Sequence, residues 1–249
     1  MVMSSFKPIN ELFASPPTLL PAKWSFEGYV QAFTEHSFAR QIVNSVYIAV
    51  VVTIGTIVVA SLAGYAFARI RFRGAGVVFI ITLAGLFVPT EATLVPLFRI
   101  FQSAGLVNTH WPLILLPTFW APAVLATFIM RQFFVTLPLE LEEAARLDGL
   151  STFGTFWRIG LPLARPALGA VAIFSFLGSW NDYLGPLVFL QSPSLFTVPV
   201  ALTHFTDYYT GPQWNVQLAA STVITVPILI IFVIAQKQFI EGLAHTGLK

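Results

Sequence analysis

The apolar residues of this chain gather into long runs instead of alternating with polar ones. Between Arg40 and Arg69 no residue is charged, and Ile42 to Ala68 is long enough to cross a bilayer, since about 20 apolar residues traverse a ~30 Å hydrocarbon core. Further runs lie near Val77 to Phe101 (interrupted by Pro89, Glu91 and Pro96), near Pro112 to Phe134, from Pro166 to Leu190 and from Trp214 to Gln236. In lipid, only a helix keeps its backbone hydrogen bonds within one segment. The pattern therefore predicts an all-α, polytopic bundle with five visible spans. Residues 1–40 are polar and proline-punctuated, and read as an extended surface segment with a short helix near Phe26 to Thr34. No internal repeat or low-complexity tract interrupts this order.

The densest polar run lies between two of these spans, from Pro138 to Arg165. Pro138 suits the first position of a helix, where a missing N–H leaves no bond unmade. Glu140, Glu142 and Glu143 follow in the first turns, opposing the positive end of the helix dipole. Gly149 is suited to the left-handed conformation that stops a helix, and Ser151 to capping a second one through Trp157 and Arg158. Pro162 and Pro166 are expected to close the unit. The first helix, 138–148, would be about 16 Å long. Leu141, Ala144, Ala145 and Asp148 share a face at spacings of three and four, and the paired alanines admit a close neighbour. The run predicts a short helix that docks into a partner.

Composition agrees with a membrane setting. The 249 residues are 56% hydrophobic and only 10% charged, with a mean hydropathy of +0.79, where ordinary globular domains carry about a quarter charged residues. The net charge of +2 is too small and scattered for a nucleic-acid partner. There is no cysteine, which excludes disulfides and thiolate chemistry. Charge also sets orientation. Arg69, Arg71, Arg73, Arg131, Arg146, Arg158, Arg165, Lys237 and Lys249, nine of the thirteen basic residues, fall on one side of the predicted topology. Lys7, Lys23, Arg40 and Arg99 fall on the other. The positive-inside rule makes the first side, with the 138–165 loop and the C-terminus, cytoplasmic. Five spans then put residues 1–40 outside, so a further span upstream of Met1 is expected.

Candidate chemistry is sparse. None of the lysines follows a glycine and precedes Ser or Thr, so no phosphate-cradling loop of that kind is present. His36, His110, His204 and His245 are scattered, without a metal-binding spacing, and no serine sits in a nucleophile elbow. No catalytic residue, cofactor or metal site is expected on this chain. Glu91 lies in the second span between Pro89 and Pro96, and a carboxylate at membrane depth usually faces a bundle interior or wet cavity. It stays open whether Glu91 contacts substrate, sits near the outer headgroups, or makes a structural bond to a neighbouring span. Trp180, Asn181, Asp182 and Tyr183 bring amide, carboxylate and aromatic groups that suit a sugar. They equally suit an aromatic belt with polar residues holding helices together. Tyr208, Tyr209 and Trp214 make the outward loop 191–213 and its border aromatic, as either a protein contact or an interfacial anchor.

The 138–165 run also carries a resemblance. Glu143-Ala144-Ala145, then Gly149, then Ile159, Leu161 and Pro162 resemble the EAA loop of bacterial ABC importer permeases. The pair Asp148-Gly149 and the later Trp180-Asn181-Asp182 resemble the carbohydrate and glycerol-phosphate group of these. Leu150 departs from the pattern, where such loops often have Ala. The likeness covers essentially the whole chain, read as one permease domain. It implies the type I importer permease fold, in a bacterial or archaeal inner membrane. By this resemblance Glu143, Ala144, Ala145, Asp148, Gly149, Ile159, Leu161 and Pro162 form the coupling loop that docks on an ATPase subunit. The same resemblance implies a second permease subunit in a heterodimer, two ATPase subunits that carry Mg-ATP, and an extracytoplasmic solute-binding protein meeting the 191–213 loop. The expected cargo is a sugar or oligosaccharide, with glycerol-3-phosphate compounds as the alternative. An intramembrane enzyme using Glu91 and Asp182 would be active as the purified chain without ATP, and a secondary transporter should show inverted repeats and would leave the 138–165 loop without a purpose.

Overall fold

The computed structural model describes residues 1–35, 37–207 and 211–246, with side chains described except at 206–207, 212 and 234–246. The elements are α1 (Ile9–Leu12), α2 (Glu27–Thr34), α3 (Phe38–Arg69), α4 (Ala75–Ala84), α5 (Thr90–Ser103), α6 (Trp111–Phe119) and α7 (Ala121–Thr136). They continue with α8 (Leu139–Leu147), α9 (Thr152–Thr155), α10 (Leu161–Leu163), α11 (Arg165–Trp180), α12 (Leu184–Phe189), α13 (Val198–Thr203) and α14 (Trp214–Thr246). Single 3-10 turns and one two-residue antiparallel pair, β1 (Thr206–Asp207) with β2 (Gly211–Pro212), complete the described chain.

Helix α3 is the axis of the bundle. Its 32 residues extend about 48 Å, more than a bilayer core requires, and it packs along α7 and α11. Small residues let its neighbours approach: a Cβ on Gly64 would stand 2.7 Å from Met130 Cβ and 2.8 Å from the Arg131 amide nitrogen. Close contact through small residues is how helices associate where lipid removes the hydrophobic drive.

Two of the predicted spans are bent. Residues 75–87 and 90–103 meet at 99°. Val88 precedes Pro89, takes the extended conformation that an X-Pro step favours, and ends the first half at φ −80°, ψ 116°. The third span is parted at Trp120, whose extended backbone precedes α7 and Pro122 in its first turn. The expected fourth span, 166–190, is not one helix: α11 stops at Trp180. Asn181 turns its amide back to the Leu177 carbonyl at 2.9 Å, and Asp182 Oδ1 accepts from the Gly185 N–H at 3.2 Å. Such side-chain bonds compete with helix continuation. The segment lengthens at its other end instead, where 152–163 joins 165–180 at a 77° bend.

Pro162 and Pro166 therefore do not close the loop as expected. Each sits in the first turn of a helical segment, α10 or α11, where no N–H is needed. A π-helical turn, Phe156–Gly160, precedes them. Pro138 is likewise one position earlier than expected, as the residue before α8.

Residues 1–35 are folded against the bundle and do not form a free extended segment. Phe6 gathers Trp24, Phe26 and Tyr29 within 5.2–5.5 Å, and Lys7 Nζ donates to the Thr18 hydroxyl at 2.8 Å. Gly28 lies so close to α14 that a Cβ there would meet the Asn215 carbonyl oxygen at 2.5 Å. Apolar burial, invisible in a polar-looking stretch, comes from this distant helix.

Candidate functional site

Helix α3 ties the functional segments into a fixed order. Near its N-terminal end the Asn44 amide donates to the Ser194 and Phe196 carbonyls at 3.0 and 3.1 Å, and Ser45 Oγ accepts from the Val198 N–H at 2.8 Å. The same end of the molecule is latched by Asn108, whose Oδ1 accepts from Gln191 and Ser192 N–H groups, each at 2.9 Å. His110 is likewise structural, bonded to Tyr47 and to the Leu195 carbonyl. At its other end Arg69 Nη2 donates to the Leu137 carbonyl, and Nε stands 3.0 Å from Glu142 Oε1. That N–H points off the line to the oxygen, so the contact is an ion pair more than a linear hydrogen bond. Twenty-five helical steps from Asn44 to Arg69 amount to about 38 Å. The 191–198 segment and α8 thus lie at opposite ends of the bundle.

The tethered helix α8 shows a divided surface. Glu142 and Ala145, three apart, face the chain's own body; Ala145 is only 2% exposed, so it does not belong to the outward face read from spacing. Glu143, Ala144 and Asp148 are exposed, as is Leu147 at 89%. Gly149 takes φ +82°, and the Leu150 N–H returns to the Ala145 carbonyl at 2.9 Å, the bonding that closes a helix on a left-handed residue. Ser151 Oγ accepts from the Gly154 N–H at 3.1 Å and caps α9. Beyond it Phe153 and Trp157 stack with centroids 6.4 Å apart and stay exposed. Ile159 and Leu161 are half-buried, Leu161 against the core around Tyr65, Phe134 and Phe156; Pro162 is exposed.

Halfway between these ends lies a cavity of about 500 Å3. Thr56, twelve residues past Asn44 and thirteen short of Arg69, forms part of its wall. Glu91, in the first turn of α5, lines it together with Ser179, Asn181, Asp182 and Tyr183. Trp180 does not: it is 2% exposed and stacks on Phe176 at 5.8 Å, 14° from parallel. Its neighbours reach the cavity because the helix ends between them. Trp120, at the break of the third span, is a lining residue that sequence reasoning passed over. A proline two positions after an aromatic residue in a long apolar run was the available signal.

Trp214 is exposed at the start of α14. Tyr208 and Tyr209 lie outside the described residues, as do His36 and Lys249. Among the described residues no group of three or more His, Cys, Asp or Glu side chains could hold a metal.

A family model described as "Binding-protein-dependent transport system inner membrane component" matches residues 56–244. The arabinooligosaccharides transport system permease protein AraQ of Halalkalibacterium halodurans is 38% identical over 252 residues, covering 100% of this chain and 89% of that protein. The probable ABC transporter permease protein YurM of Bacillus subtilis is 36% identical, covering 100% and 82%. The diacetylchitobiose uptake system permease protein NgcG of Streptomyces coelicolor is 36% identical, covering 99% and 81%. Among solved structures, a chain of a bacterial ABC transporter for import of the acidic polysaccharide alginate superposes with a TM-score of 0.84 at 21% identity, covering 95% of this chain and 87% of that one.

Proposed function

The chain belongs to the binding-protein-dependent transport system inner membrane component family, and from that premise we propose that it is the permease subunit of an ATP-driven importer of sugars or oligosaccharides. The observation that carries this reading is the order along α3: a latched loop cluster at one end, a cavity midway, and an exposed short helix at the other. Relatives named for arabinooligosaccharides, diacetylchitobiose and galactooligosaccharides supply the cargo class.

In this reading the chain pairs with a second permease subunit and two ATPase subunits that bind Mg-ATP. A solute-binding protein outside the membrane delivers cargo at the 191–214 end. The face of α8 carrying Glu143, Ala144, Leu147 and Asp148, with Gly149, seats in a groove of the ATPase, as an amphipathic helix does in its receptor. The Arg69–Glu142 pair and the Leu137 carbonyl fasten α8 to α3, so displacement of the peg is felt along that span. ATP binding favours one arrangement of the ATPases. It shifts the bundle between inward-open and outward-open states to the extent that it binds them unequally. Cargo passes through the mid-depth cavity, contacting Glu91, Asn181, Asp182 and Tyr183. The chain itself catalyses nothing; hydrolysis belongs to the partner subunits.

The test is uptake and ATP hydrolysis by the complete reconstituted transporter. E143A combined with G149V should cut cargo-stimulated hydrolysis and uptake at least about tenfold, the equivalent of ~1.4 kcal/mol of docking energy, while the spans still insert. Normal transport with the ATPase still bound would overturn the assignment of α8.

A further inference from the structure

The mid-depth cavity has a charge of one sign. Glu91 and Asp182 line it, and among its described lining residues there is no Lys, Arg or His. Asn181 adds an amide, and Trp120 and Tyr183 add aromatic rings.

We propose that this cavity binds neutral, hydroxyl-rich saccharides and rejects anionic ones, which assigns the cargo class to uncharged oligosaccharides over sugar phosphates, glycerol phosphates and uronates. The inference rests on the reading of the cavity as the cargo path. Sugar hydroxyls donate to carboxylates in charge-assisted hydrogen bonds, and the apolar faces of the rings cover aromatic side chains. A phosphate or uronate would meet two carboxylates with no cation among this chain's described lining residues to offset them. Such like-charge opposition is how a site discriminates by repulsion. Fold is no guide to charge here, because the solved alginate importer shares the fold and imports an acidic polysaccharide.

The experiment uses the complete transporter, purified with its partner subunits but without binding protein or nucleotide. Two probes, arabinotriose and trigalacturonate, are titrated by ligand-observed NMR at neutral pH and physiological salt. The neutral probe is expected to bind at least about tenfold more tightly, the discrimination one like charge imposes at several ångströms in a partly wet protein site. E91Q and D182N, alone and together, should narrow that ratio by raising affinity for trigalacturonate; Asn at 182 keeps an acceptor for the Gly185 N–H. Gly178 also lines the cavity, and a Cβ there meets nothing within 4 Å. G178L should therefore fill the space without disturbing the fold and abolish binding of the neutral probe. If G178L blocks binding but wild type takes both probes equally, or the charge variants leave the ratio unmoved, the charge inference fails while the cargo path stands. If arabinotriose binds unchanged in G178L, the probe sits elsewhere and both readings fall.

Discussion

Arg69 and Glu142 meet at 3.0 Å with both side chains nearly withdrawn from solvent, and so the last turn of α3 holds the first turns of α8. Removing one partner of a buried ion pair leaves the other charge unmatched, at ~3–5 kcal/mol. E142A should destabilise the protein by about 3 kcal/mol and expose α8 amides to hydrogen exchange. The double variant R69M/E142L removes both charges and should recover most of that stability, as thermal unfolding in detergent will show. Equal melting of E142A and wild type would remove the clamp from the account.

Leu147 contributes little to the chain's own packing at 89% exposure. L147D should therefore leave thermal stability within about 0.5 kcal/mol, as surface changes generally do, yet reduce co-purification of the ATPase subunit. A variant that melts early would place Leu147 in the core of the fold instead.

The close approach of α3 and α7 is measurable at one residue. Gly64→Ala puts a methyl 2.7 Å from Met130 Cβ and 2.8 Å from a backbone nitrogen, neither of which can swing away. Overpacking of this kind costs about 1–3 kcal/mol. Gly76→Ala, where a Cβ meets nothing within 4 Å, is the matched control and should stabilise α4 slightly, since alanine is the better helix former. The sign of the difference between the two melting temperatures is the readout.

Docking of the N-terminal residues is equally local. G28V would drive a branched side chain into the Asn215 carbonyl, 2.5 Å from where its Cβ must sit. Limited proteolysis should then cut within residues 7–25 faster than in wild type, with the spans still intact. Unchanged cleavage would mean that the segment is held mainly through Phe6 and its aromatic neighbours.

How far these features could be read beforehand depended on the range of the interaction. The uncharged stretch from Arg40 to Arg69 predicts α3 because burial in lipid acts on every residue alike. Gly149 and Ser151 perform as expected because a left-handed residue and a cap act over three or four positions. Glu142 could not be distinguished from Glu140 or Glu143, as its partner is an arginine from another span. The orientation of Trp180 was hidden for a different reason. Extending the helix to Leu190 overlooked that Asn181 and Asp182 bond their own backbone and end it. Prolines 162 and 166 misled because a chain can pass through a proline wherever a new first turn begins.

The π turn at Phe156–Gly160 amounts to one residue more than an α-helix would use over the same rise. The wider turn also covers nearly the same rotation, so deleting a single residue there would restore ordinary winding and leave the segments on either side in almost the same relation. Two homologous chains could thus differ by one residue at this point and still present every docking side chain in the same direction, so a single-residue gap there is no sign of a different motor.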